Sequence, residues 1–232
     1  MKFNSFLAAA ILSFAAPAYS TPIVVAGFTF PAGEASFADD AIYVSGPLID
    51  LATIQRVLVG SNIADSFNSG DSNRTVIEVL FLDNAIQNDP GVDLVIFELS
   101  GDRPVGTPDP REVFDVAVPI GTGFSSFVRV TPIATGWNDP ADSSLDVFAV
   151  QVDLSSFGLP AGEIIDRLRL GVFNANLGSK SADLTAVGAL HSTAPIPEPS
   201  TAALLLFGMA ALAWRGSAAI RQASRRRASS RS

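Results

Sequence analysis

Residues 92–99 read Val-Asp-Leu-Val-Ile-Phe-Glu-Leu, and this stretch decides the fold. It is apolar on both faces, which is the pattern of a strand covered on both sides at the centre of a sheet. Working outward, the runs 23–30, 54–59, 75–83, 112–120, 124–131, 145–154, 165–173 and 184–190 are rich in β-branched and aromatic residues. Gly, Pro, Asn or Asp clusters divide most of them. In 145–154, Phe148, Val150, Val152 and Leu154 share one face, and Gln151 and Asp153 take the other. In 165–172, Leu168, Leu170 and Val172 alternate with Arg167 and Arg169. This is period two with one wet face. A short helix near 50–56 is the one helical option in this region. Many short strands without a strong amphipathic helix predict an all-β body, an antiparallel β-sandwich.

Composition bounds what such a body does. The chain has 232 residues, no cysteine and one histidine. Without disulfides, about 170 residues of body must be held by their core, and that length suffices for one. Residues 21–194 hold 22 of the 23 acids and eight of the 15 bases, so the body carries −14 where the whole chain carries −8. A polyanionic body argues against nucleic acid or anionic lipid as a partner. It suits divalent cations or cationic matrix components.

The two ends are of another kind. Lys2 precedes the apolar run 6–14, and small residues at Ala16, Ala18 and Ser20 fit a signal peptidase site. Cleavage is expected after Ser20, with Ala18 as the second choice, making residues 1–20 a signal peptide. At the far end, Pro197-Glu198-Pro199 precedes an apolar stretch, 201–214. A helix over 201–220 would be about 30 Å long, enough to span a bilayer. Trp214 fits its interfacial aromatic, and Arg215, lying near the end, can snorkel to the headgroups. Arg221, Arg225, Arg226, Arg227 and Arg231 follow. These arginines act as a basic stop held on the cytoplasmic side. The two prolines keep helix from running back, leaving an extended peptide just outside the membrane.

The combination of Pro197-Glu198-Pro199, one apolar span and terminal arginines resembles the PEP-CTERM tail of bacterial surface proteins. The resemblance covers 196–232 and departs from the family where 216–220 separates the span from most of its arginines. It implies recognition and processing by an exosortase, a membrane-anchored precursor, and a mature protein at the cell surface or in the extracellular matrix, associated with exopolysaccharide or biofilm. The expected organisation is a signal peptide at 1–20, an exported domain at 21–191, a linker at 192–200, a transmembrane helix at 201–220 and a cytoplasmic tail at 221–232. In the body, 92–99 and 183–190 resemble strands of jelly-roll modules akin to galactose-binding-like sandwiches, with 75–190 covered.

Enzymatic chemistry finds little support. His191, the one histidine, stands at the edge of the linker and reads as a solvated residue rather than a triad member. Zinc sites built on Cys and His are excluded by count. Paired carboxylates for glycoside hydrolysis stay open because acids are plentiful, but no pair stands out. No cofactor is required. Calcium is the one to weigh: Asp83, Asp89 and Asp93, with Asn84 and Asn88, crowd one turn, and Asp139, Asp142 and Asp146 another. Such oxygen-rich loops suit calcium, although Asp and Asn are also ordinary turn formers. Glu98 is either paired with Arg103 or Arg129 or a buried ligand. The leading expectation is a non-enzymatic surface protein. The rival is a carbohydrate-binding module using Trp137, Tyr43 or Phe124 as stacking aromatics.

Overall fold

A computed structural model describes residues 21–46, 50–67, 74–100, 113–139, 142–172 and 182–193. The chain opens with a hairpin of β1 (Ile23–Val25) and β2 (Phe28–Phe30). After a 3-10 turn over Gly33–Ser36 come β3 (Asp40–Ser45) and the helix α1 (Leu51–Leu58). Next are β4 (Thr75–Leu80), β5 (Ile86–Gln87) and β6 (Leu94–Ser100). The middle holds β7 (Phe114–Ala117), β8 (Pro119–Ile120), β9 (Gly123–Phe124) and β10 (Val128–Val130). The remaining strands are β11 (Ile133–Asn138), β12 (Asp146–Val152), β13 (Ile164–Ile165), β14 (Arg167–Val172) and β15 (Leu184–Ala189).

Two antiparallel sheets face each other. One has the order β10-β7-β14-β4-β3, the other β11-β12-β6-β15. The antiparallel β-sandwich read from the sequence is therefore the observed architecture. The stretch 92–99 supplies β6, which lies between β12 and β15 and is buried throughout. It is covered on both faces because the molecule has a third layer.

The inner core lies between the sheets, with Ile77, Val79, Leu94, Ile96, Phe114, Val150, Leu168 and Leu170 among its members. Burying such side chains stabilises the fold by about 1.5–3 kcal/mol each. The second cluster lies on the other face of β6 and β12, where Val95, Phe97, Val147 and Ala149 meet Phe30 and Phe37. The hairpin β1–β2 forms this cover. Its two-residue turn, Ala26-Gly27, has positive φ at both positions, the hand that a tight hairpin demands. Gly188 on β15 lets the cover approach: a Cβ there would lie 2.5 Å from a ring carbon of Phe30.

The run 54–59, expected as a strand, is helical. Asp50 caps α1 by accepting from the Ala52 amide at 3.2 Å, and Ile54, Val57 and Leu58 point inward at helical spacing. The short helix expected near 50–56 is this element. Its β-branched residues mislead because tertiary burial outweighs local propensity. The helix packs on β3 and β15 and so closes one side of the sandwich. Strands β3, β5 and β11 lie outside the runs read as strands from the sequence.

Candidate functional site

The outer face of the five-stranded sheet is polar but occupied. Register places Arg169 opposite Glu78 and Arg129 opposite Asp115. Both carboxylates are buried. Glu78 accepts from Arg169 at 2.9 Å and from Arg167 at 3.4 Å. Asp115 is bound by Arg74 and, at 3.3 Å, by Arg129. Phe124 lies under the Arg169 guanidinium at 3.9 Å, and Phe127 under that of Arg74 at 4.8 Å. Each acid is engaged by two guanidinium groups, so neither is set up as a general acid or nucleophile. Arg129, one of the two partners considered for Glu98, binds Asp115. Phe124 serves as a cation-π platform rather than a free aromatic.

The first acidic turn does not converge. Asp93 is fully buried, and its carboxylate ties three segments together. One oxygen accepts from the Asp89 amide at 2.8 Å and meets His191 Nδ1 at 3.0 Å. The other accepts from the Leu154 amide at 2.8 Å. Asp89 instead accepts from the Gln87 amide group at 3.1 Å. Asp83 pairs with neither: its backbone amide donates to Asp39 at 3.2 Å. Partial burial, then the neighbouring Asp39 charge, raise the Asp83 carboxyl above its ordinary value. In the second turn, Asp142 is held below its usual value by hydrogen bonds from the Ser144 hydroxyl and amide. Among the described residues no group of three or more His, Cys, Asp or Glu is placed to hold a metal ion.

His191 is not the solvated linker residue expected from its place in the sequence. It is clamped to Asp93, 98 residues away. The segment after it is docked as well: the Gln87 amide donates to the His191 carbonyl at 2.9 Å, and the Thr193 amide to Ala85 at 2.9 Å. A strand-like bridge joins Ile86 to Ser192.

Among the described residues an open concavity lies beside the third layer. It is a groove of about 260 Å³ between the hairpin turn, Ala26 to Phe28, and strands β11 and β12. Ile133 and Thr135 line it from β11, and Ala149 and Gln151 from β12. The Trp137 indole stands beside the hairpin turn: a Cβ at Gly27 would lie 3.2 Å from its nitrogen. Trp137 is 53 % exposed and Ile133 62 %. Thr135 and Gly136 bulge out between the pairs Ala134↔Phe148 and Trp137↔Val147, with Gly136 at φ +81°. The bulge re-aims the strand. The Thr135 hydroxyl fixes it, donating to the Val147 carbonyl at 2.7 Å and accepting from the Trp137 amide at 3.2 Å. Tyr43, the third aromatic, packs against the inner core and donates its hydroxyl to Gly46.

The sorting residues Pro197, Glu198 and Pro199, the arginines 215, 221 and 225–227, the expected span at 201–220, and Ala18 and Ser20 lie outside the described residues. Among the described residues no helix is long and apolar enough to cross a membrane. Comparison with known families nevertheless decides the nature of the tail. Residues 195–227 match the PEP-CTERM protein-sorting motif. The PEP-CTERM tail marks an exported surface protein processed by an exosortase. No curated protein matches the chain. The body weakly resembles a solved chain described as CpGH89CBM32-6 produced by Clostridium perfringens. The two are 10 % identical with a TM-score of 0.33, over 65 % of this chain and 90 % of that one.

Proposed function

We propose that this is a non-catalytic protein of the bacterial surface or extracellular matrix, whose body associates with extracellular polysaccharide. The observation that carries the reading is the PEP-CTERM match over 195–227. In this reading signal peptidase cuts after Ser20 or Ala18. The 201–220 segment then holds the precursor in the inner membrane, with Arg215, Arg221, Arg225, Arg226 and Arg227 as its basic stop. Exosortase grips the extended Pro197-Glu198-Pro199 peptide. The body supports a binding role over a catalytic one, since Glu78 and Asp115 are each held by two arginines and His191 serves Asp93. Both oxygens of Asp93 are engaged by protein groups, which weighs against it as a calcium ligand.

Replacing Pro197-Glu198-Pro199 by three alanines tests the sorting half. Export should persist and tail processing should stop, because the extended segment is lost while the span remains. Immunoblots of cell fractions should show a larger, membrane-retained form. Unchanged processing would remove the motif from the mechanism.

A further inference from the structure

Resting on the reading that exosortase processes the chain at Pro197-Glu198-Pro199, we infer that Asp93 is a positioning residue for that reaction. Through His191 it latches the last docked segment, 191–193, and so fixes how far the sorting peptide can stand from the folded body. Asp93 immediately precedes β6 and engages the end of the body twice. Its carbonyl accepts from the Leu190 and His191 amides at 2.7 and 3.2 Å. Its carboxylate, fully buried, meets His191 Nδ1 at 3.0 Å. Beyond that point the segment lies along β5. The Gln87 amide donates to the His191 carbonyl and the Thr193 amide to that of Ala85, both at 2.9 Å. The sorting-motif match begins at residue 195, two residues beyond Thr193.

Chain length makes this latch matter. From Thr193 to Pro197 is four residue steps. At about 3.3–3.6 Å per extended residue they reach at most about 14 Å. With 191–193 released, the count starts from Leu190 and rises to seven steps, or about 25 Å. A body of about 170 residues has a radius of gyration of about 15 Å, so the difference is comparable with the size of the body. The latch is also local. Strand β15 is buried along its whole length, whereas 191–193 are only part-buried and bond to a two-residue strand. Such an end opens at lower cost than the sheet behind it. Opening leaves Asp93 its bonds from the Asp89 and Leu154 amides, so the buried carboxylate is not orphaned. Asp93 and His191 stand 98 residues apart. Only a folded body therefore presents its peptide on the short tether.

The test follows processing of the full chain in its producer by pulse-chase immunoblot. Deleting Ala194-Pro195-Ile196 joins Pro197 directly to Thr193. Processing should slow about a hundredfold, since a linker too short to span its sites prevents engagement. Gly-Ser-Gly in their place should restore it, which makes length the cause. Releasing the latch by His191→Ala with Thr193→Pro should also restore the shortened chain, because three freed residues replace the three removed. His191→Asn, which keeps a side-chain donor for Asp93, should not. Hydrogen exchange of the full chain in detergent checks the fold of each variant. The double variant should lose protection at Gln87, whose amide bonds His191, and keep it along β6. Should β6 lose protection too, Thr193→Pro alone decides: it frees the end of the segment and must rescue in part. The assignment is overturned if the shortened chain is processed at the parent rate or Gly-Ser-Gly fails to restore it. It is equally overturned if latch release rescues nothing, or if His191→Asn rescues as well as the double variant. Three alanines at 197–199 separate this from the broader reading. Unchanged processing removes the sorting reading and the latch with it. Processing stopped by the alanines, without rescue by latch release, removes the latch alone.

Discussion

The two outer faces of this sandwich solve the same problem in opposite ways. Outside the five-stranded sheet, Glu78 and Asp115 are buried beneath four arginines and two phenylalanines of their own and adjoining segments. Outside the four-stranded sheet, an apolar face is covered by a separate hairpin carrying Phe28 and Phe30. The first cover is made of ion pairs with half-exposed guanidinium groups. Those contribute modestly and weaken with salt. The second is made of buried rings, which contribute more and ignore salt. The groove at Ala26 to Phe28 lies beside the second.

Removing a ring from the apolar cover should have the largest effect. Phe97 is fully buried and touches Phe30 and Phe28, with centroids 6.1 and 5.8 Å away. Phe97→Ala should cost about 3–5 kcal/mol. Urea unfolding at low and high salt should give the same loss. A loss under 1 kcal/mol would mean that the hairpin is not a structural layer.

The charged cover should yield less. Arg169→Met removes both the guanidinium over Phe124 and one of the two partners of Glu78. A cost of about 1–2 kcal/mol is expected. That cost should shrink in high salt, measured by the same denaturant series. A salt-independent loss as large as that of Phe97→Ala would erase the contrast between the faces.

The smallest effect concerns Asp83, in the bend between β4 and β5. Its folded-state carboxyl is raised by partial burial and by Asp39. A raised acid favours the folded state while protonated, and this contribution is lost as pH rises through the folded value. At neutral pH the pair is therefore mildly destabilising, and Asp83→Asn should raise Tm slightly. The gain should vanish below about pH 4, where an ordinary Asp is itself protonated. A gain that persists there would assign the effect to something other than charge.

Much of the sandwich is legible in residues alone. The apolar stretch at 92–99 announces its central place, and the alternation of Leu168, Leu170 and Val172 with arginines announces a one-sided strand. What is not legible depends on partners far along the chain. Strand β11 reads Ile-Ala-Thr-Gly-Trp-Asn, and its glycine and asparagine look like a turn because the bulge that uses Gly136 is invisible without β12. Strand β3 hides behind Asp39 and Asp40, since an edge strand tolerates exposed charge. Trp137 could be named as an exposed aromatic, but the groove beside it needs 26–28, 133–135 and 149–151 together. His191 looked solvated because nothing near it in sequence could bind it. Asp93 is its partner only once β15 lies beside β6.

The placing of β15 has a consequence for delivery across a membrane. Strand β6 has as neighbours β12 and β15, both synthesised long after it. Phe37 and Phe67, from the first third of the chain, form bridges to β15. Up to residue 183 the nascent polypeptide therefore lacks the strand that completes one side of its main sheet. Early segments can pair among themselves, as β1 with β2 and β3 with β4, but closure of that sheet waits on pairings of long sequence separation, which form slowly. A chain threaded unfolded through a narrow translocation channel gains from this delay. Its main sheet closes only once its last strand is in place, where the Thr193 amide then meets Ala85.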